Sequence, residues 1–457
     1  MKTLHFISII LVCILLISCG KDKRPHANRI ILIVIDTLRA DELEIYGGSP
    51  AITPNMNKFA GEGTVFTNAW AQSSWTMPSM ATILTGLYPN EHGAYKIEKD
   101  ITPVRDDVDT IAEKLKSSGF ITAAWYNNHF GEKQYGLTQG FDHFSLAVGH
   151  YNTDIRDASE TTSLVIDWIN KHGNENFFIF LHYYDPHLKY EAPLSNRKKF
   201  VTDPDYSGPL NVKFGVDEEL FDLRSGIKRV SKDDRKHFRE LYDGEANYVD
   251  EQIGKLITYL ETQSWNSSLL TILTSDHGEE FWDHIGVEHG HTYYNELIHI
   301  PLIIKYPAGY GQSTISDLPV GQIDIAPTIL DSLDIDVPKN ISGHSLWGVP
   351  VNKSKINPDR PIVSGWPLYA VHKIAYIESG YKLITHFTDT YECYNLEDDP
   401  MEKKSLPVTR GEGLEMWKKS IEYLTNLNER TIPIAELTPV SLDNNQLNNL
   451  KSIGYMK

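Results

Sequence analysis

Apolar runs of strand length, each ending on a polar residue, punctuate this chain. Residues 29–35 read RIILIVI, unbroken after the first position, and stop on Asp36. A β-branched run of that length predicts a strand buried on both faces, because a half-exposed strand alternates apolar and polar positions. The pattern recurs at 177–181 (FFIFL), ahead of His182, Asp185 and His187, and at 269–273 (LLTIL), ahead of Asp276 and His277. Residues 301–306 (PLIIKY) predict a further strand. Between these runs, apolar residues return at helical spacing over 110–118, 161–171 and 233–263, and a helix begun near Pro327 covers 325–333. Strands alternating with helices predict an α/β fold with a doubly wound, mostly parallel sheet. Ligands of such sheets collect at the C-terminal strand ends. Three strands that each empty into Asp or His therefore predict one shared site.

Beyond residue 350 the pieces shorten to hairpin-like segments at 373–378 and 381–388, followed by a helix at 414–426. The expected organisation is a main domain at 29–350, a smaller C-terminal α+β subdomain at 351–430 and a polar tail at 431–457. Ahead of the main domain, Lys2 and an apolar stretch at 6–17 lead to Leu16–Ile17–Ser18–Cys19. The stretch is shorter than the roughly 20 residues a membrane span needs, so 1–19 reads as a targeting segment and 20–28 as a tether.

Composition narrows the chemistry. The 457 residues are 41% hydrophobic, and 61 acidic against 43 basic side chains give a net charge of −18. That balance argues against a nucleic-acid groove, which needs Lys and Arg against phosphates. A small anionic substrate held by a metal ion and a few local groups remains compatible. Of the three cysteines, Cys13 and Cys19 lie in the leader, leaving Cys393 alone in the body with no partner for an intrachain disulfide and no CxxC spacing.

The segment 73–86, SSWTMPSMATILTG, places Thr76 just ahead of Pro78 at the mouth of a predicted helix closed by Gly86. There the unpaired N–H groups and the positive dipole end favour an anion and an ionised hydroxyl. Three further groups stand out: Asp36 in the string 36–41 (DTLRAD), Asp276–His277–Gly278–Glu279, and Glu288–His289–Gly290–His291–Thr292.

Taken in chain order, these segments resemble the sulfatases, a branch of the alkaline phosphatase superfamily, over roughly residues 28–406. The resemblance implies an alkaline-phosphatase-like fold. It also implies one divalent metal ion (Ca, Mn, Zn or Mg) held by Asp36, Thr76, Asp276 and His277. His187 and His291 are the implied catalytic contacts to the transferring group or the leaving alkoxide, with His289 a lesser candidate beside His291. Residues 322–328 and 394–400 match segments that look architectural. The tetrapeptide at 16–19 resembles a bacterial lipobox, which implies a lipid anchor at Cys19 and an exported protein of the cell envelope. A plain secretory signal is the alternative.

Two departures redirect the expected reaction. The family motif begins with Cys or Ser, which becomes formylglycine, and ends with Arg; here those places hold Thr76 and Met80. Threonine carries a methyl group on its β-carbon, so oxidation would give a ketone and no formylglycine is expected. In the string at 36–41, Thr37 also replaces the second of two family carboxylates. Threonine is the nucleophile in other branches of the superfamily. The sequence thus points to metal-dependent hydrolysis or transfer of anionic esters, phosphodiester or phosphonate, with Thr76 as nucleophile and a glycan or lipid headgroup among the expected substrates. Sulfuric ester hydrolysis and a non-catalytic binding lipoprotein are the other readings.

Overall fold

A computed structural model describes residues 25–97, 100–147, 155–211, 222–224, 226–284, 286–351, 354–369, 373–385, 390–429, 437–444 and 446–447. The leader with Cys19, and most of the tail, lie outside the described residues.

Arg29–Ile35 is the strand the sequence announces, with all seven residues buried. It occupies the middle of an eight-stranded sheet, between Phe177–Tyr183 and Leu269–Ser275, and is parallel to both. On one side the sheet continues through Ile121–Tyr126 and His143–Leu146, and on the other through Leu302–Lys305, Thr64–Phe66 and Thr314–Ser316. Leu302–Lys305 alone among these strands runs against its neighbours. The sheet is therefore mixed but mostly parallel, as expected.

The unbroken apolar run has a simple cause: alternate residues feed two separate cores. Ile30, Leu32 and Val34 pack on one face with Phe178, Phe180, Leu270 and Ile272. Residues Met77, Met80, Ala81, Ile83 and Leu84 of the helix Thr76–Thr85 close that layer. Ile31, Ile33 and Ile35 pack on the other face against helices Pro54–Glu62, Ala158–His172 and Lys232–Glu261. The last of these starts at Ser231, whose hydroxyl accepts the Asp234 N–H at 3.1 Å while the Asp234 carboxylate takes the Ser231 N–H at 2.7 Å. This reciprocal cap fixes the helix start.

The C-terminal part forms an antiparallel sheet, Ile362–Gly365, Ile374–Glu378, Tyr381–Thr385 and Tyr391–Asn395, in sequential order. The helix Gly411–Asn428 lays Met416 and Leu427 against Val363, Tyr376, Leu383 and Cys393. Cys393 is buried there, and burial pushes its thiol up to about 11, which makes it a core residue without thiolate chemistry. The other face of this sheet meets the main domain through Lys382. Its buried ammonium lies 2.7 Å from Glu402, donates to Asn295 Oδ1 and the Tyr293 carbonyl at 2.7 and 3.0 Å, and sits 5.2 Å from the Trp70 ring.

Candidate active site

Thr76 is the first residue of its helix, and all ten residues of Thr76–Thr85 are buried. Trp75 ahead of it is extended (φ −155°, ψ 160°) and its side chain makes no cap hydrogen bond to the first turn. Gly86 stops the helix in the left-handed region (φ 70°), its N–H on the Thr82 carbonyl at 2.8 Å. Met80 packs in the apolar core beneath Thr76.

Asp36 and Asp276 follow directly on neighbouring parallel strands, and both are fully buried. Each has one oxygen fixed by the protein and one left bare. Oδ1 of Asp276 accepts the N–H groups of Thr37 at 3.1 Å and His277 at 2.8 Å, while its Oδ2 accepts no hydrogen bond. Thr37 adopts a left-handed conformation (φ 55°) as it turns that N–H inward. Oδ2 of Asp36 takes the Asn128 amide at 3.4 Å and lies 3.3 Å from His182 Nε2, while its Oδ1 is bare. Buried carboxylate oxygens without donors are costly unless a cation faces them. The site fits a divalent metal on that ground.

Three ligand-type atoms, from Asp36, His182 and Asp276, lie within 4.8 Å of one another. Hydrogen bonding separates the two histidines nearby. His182 Nδ1 accepts the Asn127 N–H at 3.3 Å, and its Nε2 stands 3.3 Å from Asp36 Oδ2 without a hydrogen-bond partner. His277 is the reverse: its Nδ1 donates to the Gly278 carbonyl at 2.9 Å, leaving a lone pair on Nε2. That nitrogen lies 3.4 Å from Thr76 Oγ1, 3.3 Å from Asp276 Oδ2 and 3.8 Å from Asp36 Oδ1. Both imidazoles therefore bring Nε2 to the two carboxylates, His182 within the three-atom group and His277 beside Thr76. The apolar run ending on His182 signalled that residue; nothing in the sequence signalled Asn128.

The other expected histidines separate clearly. His187 is buried, donates from Nδ1 to the Leu188 carbonyl at 2.9 Å, and its Nε2 has no hydrogen-bond partner. His289 lies between His277 and His187, with ring centroids 4.5 and 5.2 Å away, and its Nδ1 is 2.9 Å from Glu279 Oε1. Tyr190 holds the other oxygen of Glu279 at 3.2 Å. His291, the expected catalytic member of this loop, instead binds Glu280 at 2.7 Å with its side chain 25% exposed. The structure brings His289, and not His291, against the cluster. The reason is local: Glu279 and Glu280 are consecutive, and each takes one imidazole. His284 is tied to Glu296 and the Glu402 carbonyl, and His92 to Thr82 and the Ala94 N–H, so both are structural.

Arg39, from the same string as Asp36, is buried and forks between Asp41 (2.7 and 2.6 Å) and Asp283 (2.8 and 3.1 Å). It also donates to the Glu279 carbonyl at 3.0 Å, fixing the turn that follows His277. Electrostatically the cluster is divided. Burial disfavours the Asp36 anion, yet the imidazoles of His187, His182 and His277 outweigh it and hold this carboxyl below its ordinary range. Burial, joined by the Asp36 charge, pushes Asp276 well above its range. Burial lowers His277 and, further, His289. Two adjacent buried carboxylates that resist joint ionisation are what a doubly charged cation would relieve.

Comparison with known proteins agrees with this architecture. Residues 28–335 match the Sulfatase family model, and residues 288–428 match that of the N-sulphoglucosamine sulphohydrolase C-terminal region. An N-acetylglucosamine-6-O-sulfatase of Bacteroides thetaiotaomicron is 26% identical over 486 residues, covering 87% of this chain and 86% of its own length. An uncharacterised sulfatase of Escherichia coli strain K12 is 24% identical over 429 residues, covering 84% and 83%. Among solved structures, one in complex with its substrate D-glucosamine-2-N,6-O-disulfate superposes with a TM-score of 0.72 at 22% identity, over 89% of this chain and 98% of that one. The phosphonate monoester hydrolase of Agrobacterium radiobacter gives 0.71 at 18% identity, over 92% and 100%.

Proposed function

This chain belongs to the sulfatase family, and from that premise we propose that it is a metal-dependent hydrolase or transferase of anionic esters, phosphodiester or phosphonate, with Thr76 as the nucleophile. One observation carries the reading. The Thr76 hydroxyl stands at an uncapped helix start, 3.4 Å from a histidine nitrogen with a free lone pair and beside two carboxylates with bare oxygens.

Asp36 Oδ1, Asp276 Oδ2, His277 Nε2 and Thr76 Oγ1 would hold one divalent cation, and this oxygen-rich set with one imidazole suits Ca, Mn, Zn or Mg. When bound, the ion supplies Lewis acidity that favours the ionised hydroxyl and offsets charge on the ester. Thr76 Oγ1 attacks phosphorus, a bond forms between them, and the bond from phosphorus to the leaving oxygen breaks. The proton that Thr76 gives up passes to the bare Nε2 of His187, which lies beside His289, and from there to the leaving oxygen. Glu279 holds the His289 ring and fixes its tautomer. Water or an alcohol then attacks phosphorus, the bond to Oγ1 breaks, and Thr76 regains its proton.

The methyl group of Thr76 and the uncharged Met80 are the reasons to prefer phosphoryl chemistry over the formylglycine route to sulfate esters. Sulfuric ester hydrolysis stands as the second reading because named relatives carry it, the N-acetylglucosamine-6-O-sulfatase among them. A sulfated or phosphorylated sugar, or a lipid headgroup, is the substrate class in either case. Export and anchoring through Cys19 belong to the same proposal. Loss of palmitate labelling in Cys19→Ala supports the anchor, and unchanged labelling refutes it.

The deciding experiment incubates the purified protein with aryl phosphodiester, phosphonate and sulfate esters in the presence of Mn, Zn, Ca or Mg. Thr76→Ala is expected to lose turnover by at least about 10³-fold, and mass spectrometry of the trapped enzyme should place the transferred group on the Thr76 peptide. Full activity in Thr76→Ala would sink the proposal.

A further inference from the structure

We propose that Gln322, outside every catalytic segment, is a positioning residue that sets the distance between the Thr76 segment and the Asp276–His277 segment. The inference rests on the reading of those two segments as the active site. Gln322 is completely buried and opens a single turn, Gln322–Asp324, at the start of the helix Ile325–Ser332. Its one carboxamide makes three contacts. Nε2 donates to the carbonyls of Ser275 at 2.8 Å and Asp276 at 2.6 Å. Oε1 accepts the N–H of Gln72 at 3.2 Å, four residues ahead of Thr76.

The link is reciprocal. Gln72 Oε1 accepts the Ile323 N–H at 3.0 Å, so each glutamine holds the backbone beside the other. The carboxamides fit because the residue between is glycine: a β-carbon on Gly321 would lie 2.5 Å from Gln72 Nε2. The turn itself is pinned. Asp324 takes the Gly321 N–H at 2.8 Å and the His344 N–H at 2.7 Å, and pairs with Arg360. Gln72 is held from behind as well, its carbonyl accepting the Gly365 N–H of the C-terminal sheet at 2.9 Å.

No other side chain does this task. Two donors on one nitrogen match two successive carbonyls, and an acceptor on the same group matches the N–H opposite. Glutamate has the acceptor without the donors, lysine has donors without the acceptor, and methionine has the volume with neither. Displacement of a reacting group by about 1 Å is enough to cost on the order of 10²-fold in rate. A crosslink between the nucleophile and the carboxylate it faces therefore acts on turnover more than on substrate affinity.

The test compares Gln322→Met and Gln322→Glu with wild type and Thr76→Ala in the full chain. Readouts are steady-state kinetics on the best ester and hydrogen exchange of peptides spanning 71–76 and 274–279. Gln322→Met should lose at least about tenfold in kcat with KM within about threefold, and exchange should quicken in those two peptides. Gln322→Glu should be weakest at high pH and recover relative to wild type as pH falls, because the protonated acid regains one donor. Wild-type kcat in Gln322→Met, or a Gln322→Glu pH profile superimposable on wild type, overturns the inference and leaves the role of Thr76 intact. A wild-type enzyme inert on every ester, with exchange quickened in both peptides of Gln322→Met, refutes the proposed function and supports the crosslink. Should Gln322→Met not fold, Gln72→Leu removes the reciprocal acceptor and is judged by the same exchange criterion.

Discussion

Lys382→Met is the most informative perturbation of how the C-terminal sheet meets the site. The ammonium of Lys382 pairs with Glu402 at 2.7 Å and donates to Asn295 Oδ1 and the Tyr293 carbonyl, and both charged partners are buried. Burial pushes Lys382 down and Glu402 up, each outweighing the attraction of the other, so the pair is expensive to hold in the fold. Removing only the lysine strands the Glu402 carboxylate with the Asn295 N–H (2.6 Å) as its remaining donor. A buried charge left without its partner costs about 3–5 kcal/mol. Removing both charges in Lys382→Met/Glu402→Leu leaves that N–H unpaired, at about 1–3 kcal/mol, but relieves two desolvation penalties of similar size. The double variant should therefore lie within about 2 kcal/mol of wild type, far above the sum of the singles. Urea unfolding of all four proteins, followed by tryptophan fluorescence and far-ultraviolet circular dichroism, closes the cycle. A single-variant loss below about 1 kcal/mol, or a double loss equal to the sum, would refute the reasoning.

Three further outcomes are expected. His289→Ala should lower kcat by about 10²-fold or more, as loss of a positioned proton-transfer group does, while His291→Ala should stay within about fivefold; the reverse order would return the role to His291. Asp276→Asn should abolish the upward shift in melting temperature that Mn, Zn or Ca gives wild type, and an undiminished shift would remove Asp276 from the metal shell. Asp185, raised to about 6 chiefly by burial, carries stability that is complete below its unfolded value and is lost as pH rises through 6. Asp185→Asn should thus gain on wild type between pH 5 and 8, and a stability difference independent of pH would show that this carboxyl does not titrate in the fold.

The parts of the fold legible in the sequence are those where one residue type serves both faces of a strand. Arg29–Ile35 could be read from end to end because it feeds two cores. Thr64–Phe66 and Thr314–Ser316 could not, since three residues make no period. Ile121–Tyr126 was hidden by two alanines, which are small enough to pass for helix. At the site, strand ends announced Asp36, His182 and Asp276 because a polar residue after a buried run must go somewhere. The choice between His289 and His291 depends on which of two consecutive glutamates each ring meets, and that is fixed by side-chain direction, not by spacing. Gln322 was invisible for a different reason: a glutamine at a helix start looks the same whether its amide meets solvent or two carbonyls.

Thr37 is a small substitution with a charge consequence. With a hydroxyl at Thr37, the proposed metal shell would hold two carboxylates, Asp36 and Asp276, beside the His277 imidazole and Thr76. Glu279 nearby is pushed well above its ordinary range, first by burial and then by Glu288, which disfavours a further anion there. Before Thr76 ionises, two carboxylate charges would offset one divalent cation in the proposed site. An arriving anion would then meet an electrically neutral seat rather than a repelling one, and its attraction would come from oriented N–H dipoles and ring protons. Such a seat selects by where the substrate's oxygens sit more than by how much charge they carry.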